Sequence, residues 1–139
     1  MRTAILPEIP NQECWTSFID DAERFHKTAS GGMGRREVFS ADILYNIFSM
    51  AMEKYVMGLC THKKNLPDNH TFKDLADAAQ RVTHVDQGLL DDLAYMDSFQ
   101  DICSVDHYER KVPSEDDIQK IAQICNRLKG FVMCRLPER

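Results

Sequence analysis

VFSADILYNIFSMAMEKYVMGLC, Val38 to Cys60, decides the fold. Wound as a helix, it carries apolar residues on almost every side, with Glu53 and Lys54 near its middle. A surface helix needs only one apolar stripe. Here one stripe is Leu44, Phe48, Ala51, Tyr55 and Leu59. A second is Ile43, Ile47, Met50 and Met57, interrupted by Lys54. Each Ile or Met left exposed on that second face forgoes about 1.5–3 kcal/mol of burial. The helix, over about 36–60, is therefore expected at the centre of the domain and covered on two or more sides. Ile43, Ile47 and Met50 are expected to meet a second subunit. Gly58 weakens the last turn.

Four more helices surround it. Trp15, Phe18, Ala22, Phe25 and Ala29 recur at helical spacing and predict a helix over about 11–30, with Asn11 as N-cap. SGGMG, Ser30 to Gly34, breaks it and makes a left-handed C-cap easy. Thr61 to His70 is polar, contains Pro67 and reads as a loop. Phe72, Leu75, Ala76, Ala79 and Val82 predict a helix over about 71–82, capped by Thr71 with Asp74 three residues on. Leu89, Leu93, Met96 and Cys103 predict another over about 86–103, flanked by Leu90, Phe99 and Ile102. The last, about 114–135, starts at Ser114 with Asp117 completing a box-like cap. It carries Ile118, Ile121, Cys125, Leu128 and Val132, widened by Ile124 and Phe131. No segment alternates with period two, so no sheet is expected. The expectation is one all-α domain over residues 1–139, a five-helix up-down bundle with antiparallel early helices.

Composition narrows the function classes. At 139 residues and 43 % hydrophobic content the chain can bury a real core. It lacks the roughly 20 uninterrupted apolar residues of a membrane span. Its start, MRTAILPEIPNQE, does not resemble a signal peptide, so a cytoplasmic protein with no membrane partner is expected. The odd cysteine set (Cys14, Cys60, Cys103, Cys125, Cys134) has no CxxC pair and reads as buried free thiols. Net charge is −5. Ten acids lie between His84 and Asp117, opposed only by Arg110 and Lys111. That stretch repels a phosphate backbone and argues against a broad nucleic-acid surface. Lys120, Arg127, Lys129 and Arg135 leave room for a small basic patch on the last helix.

Few residues suggest chemistry. Gly31, Gly32 and Gly34 with Arg35 and Arg36 could form an anion-binding turn, but the phosphate-loop spacing and a preceding strand are missing. The five histidines form no HExxH or Cys/His cluster, so neither a metal nor a cofactor is expected. His70, just ahead of the third helix, is a candidate structural tie between the loop and a neighbouring helix. Glu53 and Lys54 read as a thin polar strip, with Lys54 snorkelling, or as a polar network across an interface. The adjacent pairs Asp20–Asp21, Asp91–Asp92 and Asp116–Asp117 point apart on a helix and read as solvated faces. Tyr108, Glu109, Arg110 and Lys111 form a polar-aromatic connector able to line a groove. Binding candidates are thus Tyr108, Arg110, Lys111, Glu53 and Lys54.

FSADILYNIFSMAMEKYVMGLC resembles the second helix of HEPN domains, with the A-x-E-K pattern at Ala51, Glu53 and Lys54. DNHTFKDL, Asp68 to Leu75, resembles the histidine-containing start of that family's next helix at His70 and Leu75. HYERKVPSEDDIQKIAQICNRL resembles its final connector and helix, and the similarity spans most of residues 15–135. The resemblance implies a helical bundle that forms homodimers. It also implies a role in toxin–antitoxin or defence systems beside a nucleotidyltransferase-like partner. Many active members are metal-independent endoribonucleases with an arginine followed, after four to six residues, by a histidine. Here Arg110 is followed at those positions by Glu115, Asp116 and Asp117, and no other arginine has the spacing. RNA cleavage without metal wants an imidazole for proton transfer and a cation near the phosphate.

The expectation is a non-catalytic, HEPN-like homodimer acting by protein or nucleotide binding. Two alternatives stand beside it. One is a divergent endoribonuclease cleaving RNA with His107, Glu109 and Arg110. The other is a helical bundle that binds a small ligand.

Overall fold

The structure, a computed structural model, describes residues 11–99 and 112–138. Within them the chain forms five helices: α1 (Asn11–Gly32), α2 (Ala41–His62), α3 (Phe72–Val82), α4 (Gln87–Asp97) and α5 (Glu115–Met133). No strand occurs among the described residues. Four helices begin where a short polar side chain can take a backbone N–H that the helix leaves unpaired. Ser40, Thr71, Asp86 and Ser114 accept from Ile43, Asp74, Leu89 and Asp117. Ser114 and Asp117 complete the expected reciprocal box.

The boundaries around the glycine-rich segment differ from the sequence expectation. Helix α1 runs through Ser30 to Gly32. Helix α2 starts only at Ala41, because residues 35–39 close on themselves, with Phe39 N donating to Arg35 O at 2.9 Å. No described glycine has a positive φ, so the expected left-handed glycine cap does not form. Gly32 serves packing instead. A Cβ there would stand 2.7 Å from the Phe39 ring and 3.0 Å from Leu44 Cδ2. Helix α4 ends at Asp97, and the expected continuation toward Cys103 lies outside the described residues.

Helix α2 is the centre of the core through its first apolar stripe, whereas Ile43 and Met50 of the second are exposed in the single chain. Leu44, Phe48, Ala51, Tyr55 and Leu59 are fully buried. Helix α1 packs along it antiparallel. Trp15 meets His62 edge-on at 5.3 Å near one end, and Gly32 faces Leu44 at the other. The buried side of α1 is Trp15, Ile19, Ala22, His26 and Ala29, whereas Phe18 and Phe25 are only partly covered. The periodicity thus found the right face but missed Ile19 and His26. Gly58 is not merely a weak spot in α2, because a Cβ there would lie 2.6 Å from Ile19 Cδ1. Helices α3 and α5 also pack on α2, and α4 bridges α3 and α5. The Tyr45 hydroxyl donates to Met96 O at 2.9 Å and fixes α2 to the end of α4.

Much of the acidic stretch turns out to be fastened to the fold. Asp97 accepts from Phe72 N at 2.9 Å and Lys73 N at 2.8 Å. With Thr71 taking Asp74 N, all three of the first N–H groups of α3 are satisfied, and a carboxylate faces the positive end of the helix. Asp92, expected to be solvated, pairs with Arg127 across α4 and α5 and is largely buried. Asp117 accepts from the Tyr95 hydroxyl at 2.6 Å. Two thiols are buried as expected, and burial pushes Cys60 up to about 11 and Cys125 up to about 12. Cys134 departs from the expectation and is exposed. No described helix is long and apolar enough to cross a membrane.

Candidate functional site

Three polar residues of α2 fall on one line with Met50. Asn46, Ser49, Met50 and Glu53 follow the i, i+3, i+4, i+7 spacing of a single helix face. That face forms one wall of a cleft of about 380 Å³, closed on the other side by His70 and Phe72. Glu53 contacts His70 Nδ1 and so joins the central helix to the loop before α3. This is the tie expected of His70, and Glu53 is its partner.

The loop that carries His70 is itself clamped. After α2, Asn65 N donates to Cys60 O at 2.9 Å, and Lys64 adopts φ 60° to make the turn. Arg81 of α3 reaches back, with Nε donating to Asn65 Oδ1 at 2.8 Å and Nη2 donating to Leu66 O at 3.1 Å. Asp97 holds the first turn of α3, which places Phe72 against the cleft. Within that frame Ser49 is only 9 % exposed, and its Oγ has no hydrogen-bond partner. A buried hydroxyl left unpaired costs about 1–3 kcal/mol, and Thr61 Oγ1 and His62 Nδ1 are likewise buried without a partner.

Lys54, another expected binding residue, points elsewhere and lies over the Phe18 ring at 5.4 Å. Glu53 and Lys54 therefore do not act together. Ile43 and Met50 are 43 % and 42 % exposed, with Ile47 partly covered between them. His107, Tyr108, Glu109, Arg110 and Lys111 lie outside the described residues.

Two further places hold polar groups. His26 is buried and its Nδ1 lies 2.9 Å from the Tyr55 hydroxyl. Burial holds its pKa below 6.5, and the nearby Lys129 charge acts in the same direction. Tyr55 is raised by burial. The ring also engages Asn126, beside a shallow cleft of about 400 Å³. His26 is thus a satisfied core histidine. A larger groove of about 560 Å³ runs between α4 and α5 past Asp92, Arg127 and Cys134.

The small basic patch expected on α5 is not a free one. Lys120 lies over the Tyr95 ring at 4.1 Å, Arg127 pairs with Asp92, and Lys129 stands 3.8 Å from Glu23. Arg135 donates to Thr83 Oγ1 and Phe131 O. In the glycine-rich turn, Arg36 forks onto Glu115 and also donates to Phe39 O at 2.9 Å, so it is not left for an anion. Among the described residues no group of three or more His, Cys, Asp or Glu is placed to hold a metal.

Sequence reasoning singled out Glu53 and His70 but missed Ser49 and Asn46. The signal was present in the helical spacing of Asn46, Ser49 and Glu53. It was hidden because attention to apolar stripes leaves the polar remainder unread. No protein-family model, curated protein or solved structure matches the chain.

Proposed function

We propose that this chain is a non-catalytic, HEPN-like up-down bundle that works as a homodimer, binding a protein or nucleotide partner. The observation that supports the dimer is the strip of Ile43, Ile47 and Met50. It lies on the helix that is otherwise the most buried among the described residues, yet two of its three residues are more than two-fifths exposed. A two-fold contact buries the same strip on both copies at once. In this proposal the nucleotidyltransferase-like partner and the toxin–antitoxin or defence setting rest on the HEPN resemblance.

Light scattering on a sizing column tests the dimer. The wild-type chain is expected at twice its 16.0 kDa mass. Ile43→Glu and Met50→Glu, at positions already open to water, are expected to fold and to run as monomers. A monomeric wild type refutes the dimer. Incubation with mixed RNA in the absence of metal tests the rest. No cleavage is expected. Cleavage that disappears in His107→Ala and Arg110→Ala would replace binding with an endoribonuclease.

A further inference from the structure

The cleft between α2 and the His70 loop has an unusual balance of groups. Along its α2 wall stand an amide (Asn46), a hydroxyl (Ser49) and a carboxylate (Glu53). Among the described residues that line it, Glu53 and His70 are the ionisable ones, and His70 is already set against Glu53. Among the described residues no lysine or arginine lines it, and the Glu53 carboxylate disfavours an anion there. Ser49 lines the cleft, is nine-tenths buried, and its Oγ has no hydrogen-bond partner. Met50 and Phe72 provide apolar surface beside these acceptors.

We propose that this cleft binds a guanidinium group. The acceptors at Asn46, Ser49 and Glu53 are spread over two turns of one helix face. A guanidinium presents five N–H donors in a planar fork and can reach the Glu53 carboxylate and the Ser49 hydroxyl, one turn apart, together. A compact ammonium has three donors around one point and cannot span them. The aliphatic stem behind the guanidinium lies along Phe72. The group belongs either to a free small molecule or to an arginine of a protein partner. The inference rests on the chain being a binding protein, but it does not need the dimer.

The test uses the full chain, labelled with nitrogen-15 and titrated with methylguanidinium, methylammonium, free L-arginine and an arginine blocked at both ends. Methylguanidinium is expected to shift the amide signals of Asn46, Ser49, Glu53 and Phe72 at millimolar concentration. Methylammonium is expected to bind at least about fivefold more weakly, because fewer acceptors are engaged. Glu53→Gln is expected to lose about tenfold in affinity, and Ser49→Ala about threefold. Should Glu53→Gln unfold through loss of its His70 contact, Ser49→Ala keeps the question open to an answer, since it changes no charge. Tighter binding of blocked arginine than of free arginine assigns the group to a protein, and the reverse order assigns it to a small molecule. Equal binding of ammonium and guanidinium, shifts scattered over the surface, or unchanged affinity in Ser49→Ala overturns the proposal. The mass of each sample, measured alongside, separates that failure from a failure of the dimer.

Discussion

Replacing Gly58 with alanine is expected to destabilise the protein, although alanine is the better helix former. Relief of the glycine in mid-helix is worth about 1 kcal/mol in favour of the variant. Against it stands the closeness of α1. The new Cβ would meet Ile19 Cδ1 at 2.6 Å, Ile19 Cγ1 at 2.9 Å and Trp15 O at 3.3 Å. Ile19 is fully buried, so its end has no open space to swing into, and Trp15 O belongs to the backbone. Overpacking of this kind costs about 1–3 kcal/mol, and the closed surroundings favour the upper half of that range. The net expectation is a loss of about 1–2 kcal/mol, read from urea unfolding at a fixed pH. Gly130→Ala is the control, because nothing lies within 4 Å of a Cβ there. It is expected to gain up to about 1 kcal/mol. Ile19→Val removes the atom nearest the clash. Alone it is expected to cost about 0.5–1.5 kcal/mol, and in the Gly58→Ala background much less. If Gly58→Ala is as stable as Gly130→Ala, the close contact of α1 and α2 is refuted.

Stability is also expected to fall with pH through His26. Its folded pKa lies below 6.5, so the unfolded chain takes up the proton first. Its contribution is complete above about pH 6.5 and is lost as pH falls toward the folded value. Urea unfolding between about pH 7.5 and 5.5 should show this slope, and His26→Gln should flatten it. Asp97→Ala removes the carboxylate that takes Phe72 N and Lys73 N, and is expected to cost about 0.5–2 kcal/mol. Loss of helical signal on heating would register it, and an unchanged midpoint would count against the cap. A thiol reagent at neutral pH should modify Cys134 ahead of Cys60 and Cys125, whose burial both shields them and holds them as thiols. Peptide mass mapping resolves the order, and early labelling of Cys125 would contradict the packing of α5.

Helix existence and the caps of α3 and α5 were legible because they depend on neighbours in sequence. Three-to-four periodicity names the apolar face, and a hydroxyl or carboxylate one turn ahead of a free N–H names the start. The same local information located His70 and Glu53 as polar residues in suggestive places. It could not pair them, because 17 positions separate them and only the turn at Lys64 brings the loop back onto α2. Nor could it distinguish acids that face water from acids that hold the bundle together. Asp92, Asp97 and Asp117 look alike in a charge count, but one pairs with Arg127, one caps α3 and one receives Tyr95. Tertiary structure also reassigned Gly32 and Gly58 from backbone freedom to close approach, which depends on what another segment places opposite them. The sequence by itself determined a helical chain with a crowded central helix, since propensity and periodicity are local. Only the tertiary structure decided which polar groups are spent on the fold and which, like the Ser49 hydroxyl, are left without a partner, since that depends on distance in space.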